Sequence, residues 1–379
     1  MIHKIKRIIA RKYEVSNQID ISRSAILHNF DTLARIHNLP LILVLKANAY
    51  GHGLKEVSTI LRERSFPLIA VDGYFEAIAI REVSNQPILV MGSIGTNNIN
   101  SLRAKYVSFV VFSKESFDTL KKSRRVLNIH LEINTGMNRH GLRLDELTDL
   151  LSELRDFPRI NVEGIMTHLS SADELKQDFT NKQFTQFEEA LRLIKRAGIQ
   201  PRYIHATNSA GTAKKLPNYL TAVRPGIALY GINTLKKSDP FYGRLRELEP
   251  ALRLTSKIDQ IITVQAGDCV GYNRTHQANN VTRVATIPIG YYEGIPRTLS
   301  NKPFITSDGL LLDTTGTICM NHTMFDCTKT DLAIGDQVTI ISPDNDAPNS
   351  IINLRDHYNL FEYSLPTGLS ATIRRRLVS

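Results

Sequence analysis

Leu41-Ile-Leu-Val-Leu45 is an unbroken aliphatic run that stops at Lys46-Ala-Asn-Ala-Tyr50-Gly-His-Gly53. A short continuous apolar run suits a strand buried on both faces, the usual state of strands in a parallel sheet. Working outward, the same unit recurs up to about residue 224: an apolar run, a polar or glycine-bearing turn, then a helix-like segment. The further runs are Leu68–Val71, Ile88–Met91, Val107–Phe112, Leu127–Ile133, Val162–Thr167, Tyr203–Ala206 and Thr221–Val223. Between the first two, Leu54, Val57, Ile60 and Leu61 share one helical face. Ahead of the first, Ser22 precedes Ile26, Leu27, Phe30 and Leu33, which predicts a capped amphipathic helix. Eight strand–helix units predict an α/β fold, an N-terminal (β/α)8 TIM-type barrel. A doubly wound sheet is the alternative, because periodicity does not show closure.

Beyond Glu249–Pro250 the pattern changes. Leu252–Val264, Val281–Ile289 and Gln337–Ile341 are β-rich and are separated by Gly, Asn and Asp turns. The expected division is a barrel over residues 1–248 and a mainly β C-terminal domain over 249–379, with the basic stretch Met1–Val15 a candidate to pack with the β domain. At 379 residues, two domains are also the default on size.

The formal charge of +10 raises the question of nucleic acid. The basic residues are scattered, apart from the N-terminal stretch and Arg374–Arg376, and no interleaved aromatic and basic motif occurs. The expectation is no nucleic acid, with the charge serving anionic small molecules or a solvated surface. No run approaches a membrane span, and Lys4, Lys6, Arg7 and Arg11 break up the N-terminal apolar residues, unlike a signal peptide. Cys269, Cys319 and Cys327 form an odd, sparse set without a Cys-x-x-Cys pair, which argues against a disulfide framework or structural zinc. A cytoplasmic protein without membrane association or bound metal is expected.

Barrel chemistry lies at the C-terminal strand ends. Run one delivers Lys46, run five Asn134-Thr-Gly-Met-Asn-Arg139, run six His168, run seven Asn208-Ser209, and run eight Arg224-Pro-Gly226-Ile227. A lone lysine there is ordinarily a solvated strand end, whereas a partly buried one can form a Schiff base with an aldehyde. Gly51 and Gly53 permit the close backbone approach that the second reading needs. Asn208-Ser209 and Gly226-Ile227 follow the two strands after which barrels commonly bind phosphate, although each pair also reads as a cap or a turn. His168 could lie against an aromatic ring or be a satisfied core histidine. Arg224 is charged at neutral pH.

The string Leu45–Gly53 closely resembles the pyridoxal phosphate (PLP) lysine signature of bacterial alanine racemases. The resemblance continues through Asn134–Arg139, Met166-Thr-His168, Asn208-Ser-Ala210, Val223–Gly231, Val270-Gly-Tyr272, Ile287–Tyr291 and Gly316–Met320, and spans about Ile19 to Leu377. It implies that Lys46 carries PLP and acts as base on one face of the substrate Cα. Tyr272, from the other subunit of a homodimer with shared active sites, acts on the opposite face. Tyr50, Asn208, Ser209, Gly226 and Ile227 would hold the cofactor at its phosphate end, His168 would pack on its ring, and Arg224 would face its ring nitrogen. Arg139 and the Met320 backbone of the partner would bind the carboxylate of a small amino-acid substrate. An arginine rather than an acid at the ring nitrogen leaves that nitrogen unprotonated, which limits side reactions. A free tyrosine ionises near pH 10, so a chain from Tyr272 through His168 to Arg224 would supply the cationic surroundings a tyrosine base needs.

Some positions depart from the pattern. The usual Gly-Tyr-Ala-Asp-Gly reads Gly290-Tyr-Tyr-Glu-Gly294, and Cys-Met-Asp reads Cys319-Met-Asn321. Glu132 stands where many relatives have a carbamylated lysine, and Ala371 where the family usually has a tyrosine. The implied function is alanine racemase, supplying D-alanine for peptidoglycan. The alternatives are a serine or broad-specificity racemase, a decarboxylase of like architecture, and a non-catalytic PLP carrier, which would lack the second domain and Tyr272.

Overall fold

The computed structural model describes residues 14–101 and 106–379. The chain forms two compact units. One joins the described residues up to Ser22 to Ala251–Ser379, and the other is Arg23–Pro250. Residues 1–13 of the basic N-terminal stretch lie outside the described residues.

The strand β1 (Asn17–Ser22) opens the described chain, and the helix Arg23–His37 follows it directly, burying Ile26, Phe30 and Leu33. Then come β2 (Ile42–Val44), β3 (Leu68–Val71), β4 (Ile88–Val90), β5 (Val107–Val111), β6 (Leu127–Glu132), β7 (Ile160–Met166) and β8 (Tyr203–His205), each reached through a helical crossover. These seven are parallel and pair in strict chain order. A doubly wound sheet would reverse its order at a switch point, and this one does not. The eighth run, Thr221–Val223, forms no continuous ladder and is not a strand. It closes the ring through an isolated parallel bridge between Leu41 and Val223. Ile42 donates its N–H to Val223 O (2.8 Å) and Val44 to Pro225 O (3.1 Å). Pro225 has no N–H to return, so the ladder stops there.

Inside the ring, Ile42, Val44, Leu68, Ala70, Leu89, Val110, Met166, Tyr203 and Ala222 form one apolar cluster. Strand β6 contributes the buried His130, whose ring stacks on Tyr203 with centroids 6.0 Å apart. The 19-residue helix Asp178–Arg196 buries Gln183, Phe187, Ala190 and Ile194 at three- and four-residue spacing, the stripe expected of a crossover helix.

The other unit is mainly β. Its strands are β9 (Leu252–Lys257), β10 (Gln260–Val264), β11 (Cys269–Val270), β12 (His276–Gln277), β13 (Thr282–Ile287), β14 (Pro303–Ser307), β15 (Leu310–Asp313), β16 (Thr323–Asp326), β17 (Gln337–Ile341) and β18 (Arg374–Val378). The largest sheet runs β15-β14-β17-β9-β1-β18, so β1 sits between β9 and β18 and turns Ile19 and Ile21 inward.

Within the barrel unit, the fully buried Asn29 ties the first helix to the chain that follows the ring. Its Nδ2 donates to Leu229 O (3.1 Å) and Glu249 O (2.8 Å), and its Oδ1 accepts from Glu249 N (2.8 Å). Asn29→Ala strands these backbone groups away from water. Denaturant titration should show the barrel destabilised by about 2–4 kcal/mol.

Candidate active site

Lys46 begins a short turn whose residues Ala47, Asn48, Ala49 and Tyr50 all have positive φ, between 51° and 55°. A left-handed turn of side-chain-bearing residues costs about 1–2 kcal/mol per residue, so its surroundings must hold it. Glu76 Oε1 accepts from the Ala47 N–H (2.7 Å), while Glu76 Oε2 accepts from Asp72 N (2.8 Å). Asn48 Oδ1 accepts from Leu54 N (2.9 Å), and His52 Nδ1 lies 2.9 Å from Tyr50 O. The His52 ring stacks on the buried Tyr230 (4.4 Å), whose hydroxyl donates to Val44 O (3.1 Å). The Lys46 Nζ stands 3.5 Å from Asp72 Oδ1 at the end of β3.

The turn aims Tyr50 at the far side of the ring closure. A Cβ added at Gly226 would lie 2.5 Å from the Tyr50 hydroxyl, so any other residue there would push the Tyr50 ring aside. Ser209 Oγ accepts from Gly226 N and Ala228 N, both at 3.0 Å. Asn208 caps the next short helix by accepting from Gly211 N (2.8 Å) and donates to Leu169 O (3.2 Å). Tyr50, Ser209, Gly226 and Ile227 therefore meet in one small polar recess, with Asn208 supporting it from behind. Burial pushes the Tyr50 phenol up to about 12, against the pull of Arg224.

Arg224 lies fully buried beside this recess. It donates from Nη1 to His205 Nδ1 (2.6 Å) and from Nη2 to Thr167 O (2.9 Å) and His168 Nδ1 (3.0 Å). Burial lowers its guanidinium to about 10, opposed by Glu132 and Tyr50. Burial and the cations Arg224, Arg139 and Lys46 push His168 down to about 3, so its imidazole is neutral. Glu132, at the end of β6, is buried, and burial raises its carboxyl against the pull of Arg224, His140, Arg139 and Lys46. Arg139 is exposed on the loop after β6. That loop is folded back by Asn134 N donating to Leu142 O (3.0 Å) and Leu142 N to Glu132 O (2.8 Å).

Tyr272 and Met320 belong to the β unit and are exposed, by 66% and 54%. Thr317 Oγ1 donates to Tyr272 O (3.3 Å), and Tyr292 N donates to Met320 O (2.9 Å), so the strings that carry them converge. Two of the sequence departures touch. Asn321 Nδ2 donates to Glu293 Oε1 (2.7 Å), and Gly290 N donates to Glu293 Oε2 (2.8 Å).

Sequence reasoning missed Asp72, Glu76, His130, His205 and Tyr230. Asp72 could have been found by the rule that found Lys46, since it follows the second apolar run. Glu76, His130 and His205 lie within a helix or strands, where nothing in the local pattern marks them, and Tyr230 lies in the string Val223–Gly231 with no role read for it.

Comparison with known proteins places this geometry among close likenesses. The family described as alanine racemase, N-terminal domain, matches residues 21–234, and alanine racemase, C-terminal domain, matches residues 251–377. The alanine racemase of Geobacter sp. (strain M21) is 34% identical over 340 residues, covering 86% of this chain and 88% of its own. That of Methanococcus maripaludis is 32% identical over 365 residues, covering 94% and 97%. The crystal structure of the Bacillus anthracis alanine racemase with bound L-Ala-P matches with a TM-score of 0.87 at 29% identity, covering 97% of this chain and 96% of that one.

The strained turn gives a direct test of what positions Lys46. Glu76→Ala should speed amide hydrogen exchange across Ala47–Gly53 and lower stability by about 1–3 kcal/mol. Unchanged exchange there would show that the turn holds itself.

Proposed function

The chain belongs to the alanine racemase family, and from that premise we propose how its own residues serve the reaction. It is a PLP-dependent racemase that interconverts L- and D-alanine, the activity that supplies D-alanine for peptidoglycan in this family. The observation that carries the residue assignment is the recess where Tyr50, Ser209 and the backbone of Gly226 meet beside the sealed cation Arg224.

That recess fits PLP. The Tyr50 and Ser209 hydroxyls and the Gly226 and Ile227 backbone hold the phosphate, with Asn208 fixing the Ser209 helix. Arg224 would serve the ring nitrogen, and the neutral His168 imidazole would support the ring. Bound PLP supplies the electron sink that makes the substrate Cα–H acidic. Lys46 holds the cofactor and moves a proton at Cα on one face, and Tyr272 moves one on the other. Two groups on opposite faces exchange the roles of acid and base with the direction of reaction. Arg139 and the Met320 N–H bind the substrate carboxylate.

Tyr272 and Met320 come from a second copy in a homodimer, and their exposure on the β unit leaves them available to another barrel. Cytoplasmic residence is supported by three free cysteines and, among the described residues, by no helix long and apolar enough to cross a membrane.

The test is Tyr272→Phe. Racemisation should be lost while Cα–H exchange from D-alanine in deuterated water survives; unimpaired racemisation would refute the two-face scheme. Run on serine as well, the same assay weighs broader specificity, which Ala371 favours by presenting only a methyl where a tyrosine is usual. Glu132, which feels Arg139 through space, supplies the negative charge that orients it. Glu132→Gln should raise the KM for alanine about tenfold, measured by circular dichroism of the racemising mixture, and an unchanged KM would remove Glu132 from the site.

A further inference from the structure

Arg224 is the end of a longer chain of groups. Its Nη1 meets His205 Nδ1 at 2.6 Å, and His205 Nε2 meets His130 Nδ1 at 2.9 Å. His130 Nε2 then stands 3.4 Å from Glu163 Oε2, an electrostatic contact outside hydrogen-bond geometry. Ser108 donates its hydroxyl to the same Glu163 oxygen. Both histidines are fully buried, and all these residues lie in the barrel unit.

The local fold is shaped around this chain. The pairing of β6 with β7 steps from Ile129↔Val162 to His130↔Gly164, which leaves Glu163 as the extra residue of a bulge. Bulges re-aim a side chain, and here the carboxylate reaches both Ser108 and His130. Gly164 has no room for a side chain, because a Cβ would lie 2.4 Å from His130 Nδ1.

Proton counting then fixes one arrangement. A guanidinium only donates, so His205 Nδ1 must accept, and a neutral His205 carries its proton on Nε2. That N–H points at His130 Nδ1, which must also accept, so His130 carries its proton on Nε2, toward the Glu163 carboxylate. Burial holds both imidazoles below their ordinary range, although Glu163 pulls His130 back up. Burial would raise the Glu163 carboxyl, but its contacts with His130 and Ser108 hold it below its ordinary range. Aligned bonds of this kind polarise one another in a low-dielectric interior.

We propose that Glu163 is a positioning residue for Arg224, acting through His130 and His205 by favouring, from the far end of the chain, the same Nε2–H tautomers that the Arg224 donor requires. Reversing the chain would place a proton on His205 Nδ1, facing the Arg224 donor, and would expel the guanidinium from its seat. The consequence for catalysis rests on Arg224 facing the cofactor, but the tautomers do not.

The test is 15N NMR of the perdeuterated, 15N-histidine-labelled full chain, with and without PLP, assigned through His130→Asn and His205→Asn. The wild-type protein should show accepting, pyridine-like Nδ1 and protonated, pyrrole-like Nε2 signals for both residues. A pyrrole-like Nδ1 on His205, or an imidazolium at either site at neutral pH, would overturn the proposal. In Glu163→Gln, an amide that can also donate to His130 Nε2 should shift both Nδ1 signals toward the pyrrole range. Ser108→Ala, which keeps the carboxylate, should leave them in place. Unshifted signals in Glu163→Gln would overturn the proposal while leaving the racemase assignment untouched. If that variant does not fold, Glu163→Ala should still shift both Nδ1 signals, and unshifted signals there would overturn the proposal.

Discussion

A guanidinium sealed inside a barrel must find partners for its donors without water, and Arg224 finds them in neutral acceptors: two imidazole nitrogens and the Thr167 carbonyl. Burying an unpaired charge is expensive, and the lowering of Arg224 to about 10 records that cost. The group nevertheless stays protonated at neutral pH. Because none of its hydrogen-bond partners is a carboxylate, its charge is not cancelled where it sits. Glu132 acts on it through space. The remaining field favours an anionic or electron-rich ligand at the barrel mouth, and it operates where the dielectric is low. Burial, reinforced by the same cation, keeps His168 neutral, and Arg224 lies beside the recess formed by Tyr50 and Gly226. The eighth segment is consequently built for Arg224 and Gly226 rather than for strand pairing, and ring closure is left to one bridge and two hydrogen bonds.

Lys46 depends on a different constraint. A lysine at a strand end would ordinarily sample many rotamers in water, at a cost on ordering of up to about 2 kcal/mol. Four successive positive-φ residues behind it fix the backbone path. Their strain is offset by bonds from elements on both sides: Glu76 from the next crossover helix, Asn48 toward Leu54, and Tyr230 from beyond the eighth segment. Backbone strain retained at one place by surroundings that over-determine it is the pattern found at functional sites. It also explains why the turn needs small residues. Ala47, Asn48 and Ala49 tolerate the left-handed region better than β-branched residues would, and Gly51 and Gly53 take the positions that follow.

The strands of the barrel were readable because a parallel strand is buried on both faces and leaves an unbroken apolar run. Leu68–Val71 matches its run end to end, while β6 stops one residue before the end of its run and β7 starts two residues before its run and stops one before its end. Closure was not readable, since it rests on Leu41 meeting Val223 across nearly the whole unit. Nor was the place of Asn17–Ser22 in the β sheet, whose partners lie 231 to 356 residues further along (from 252 − 21 to 374 − 18). Among site residues, those at strand ends were legible because position within the unit predicts them. His130 sits inside β6 and His205 closes β8 within its apolar run, where a histidine reads as one more core residue. Their meaning lies in which nitrogen faces which donor, and no linear pattern encodes that.

The β unit shows why some motifs are legible without being chemical. Gly290 admits no Cβ, because one would lie 2.2 Å from Cys319 O and 2.5 Å from Met320 O. Gly316 is closed off in the same way by Val270 O, at 2.5 Å. Three strings far apart in the chain, around Tyr272, Tyr291 and Met320, are thus pressed backbone to backbone at contacts that only glycine permits. Glu293 tightens the same knot by accepting from Gly290 N and Asn321 Nδ2. Apart from the Asn321–Glu293 side-chain bond, these contacts fix main chain, while the side chains of Tyr272 and Met320 are left exposed. An exposed ring on a mobile loop would be a poor agent of proton transfer, because geometry loose by an ångström is costly to rate. Mounted on a base fixed by close backbone contact, Tyr272 and the Met320 N–H have the rigidity that their proposed roles require.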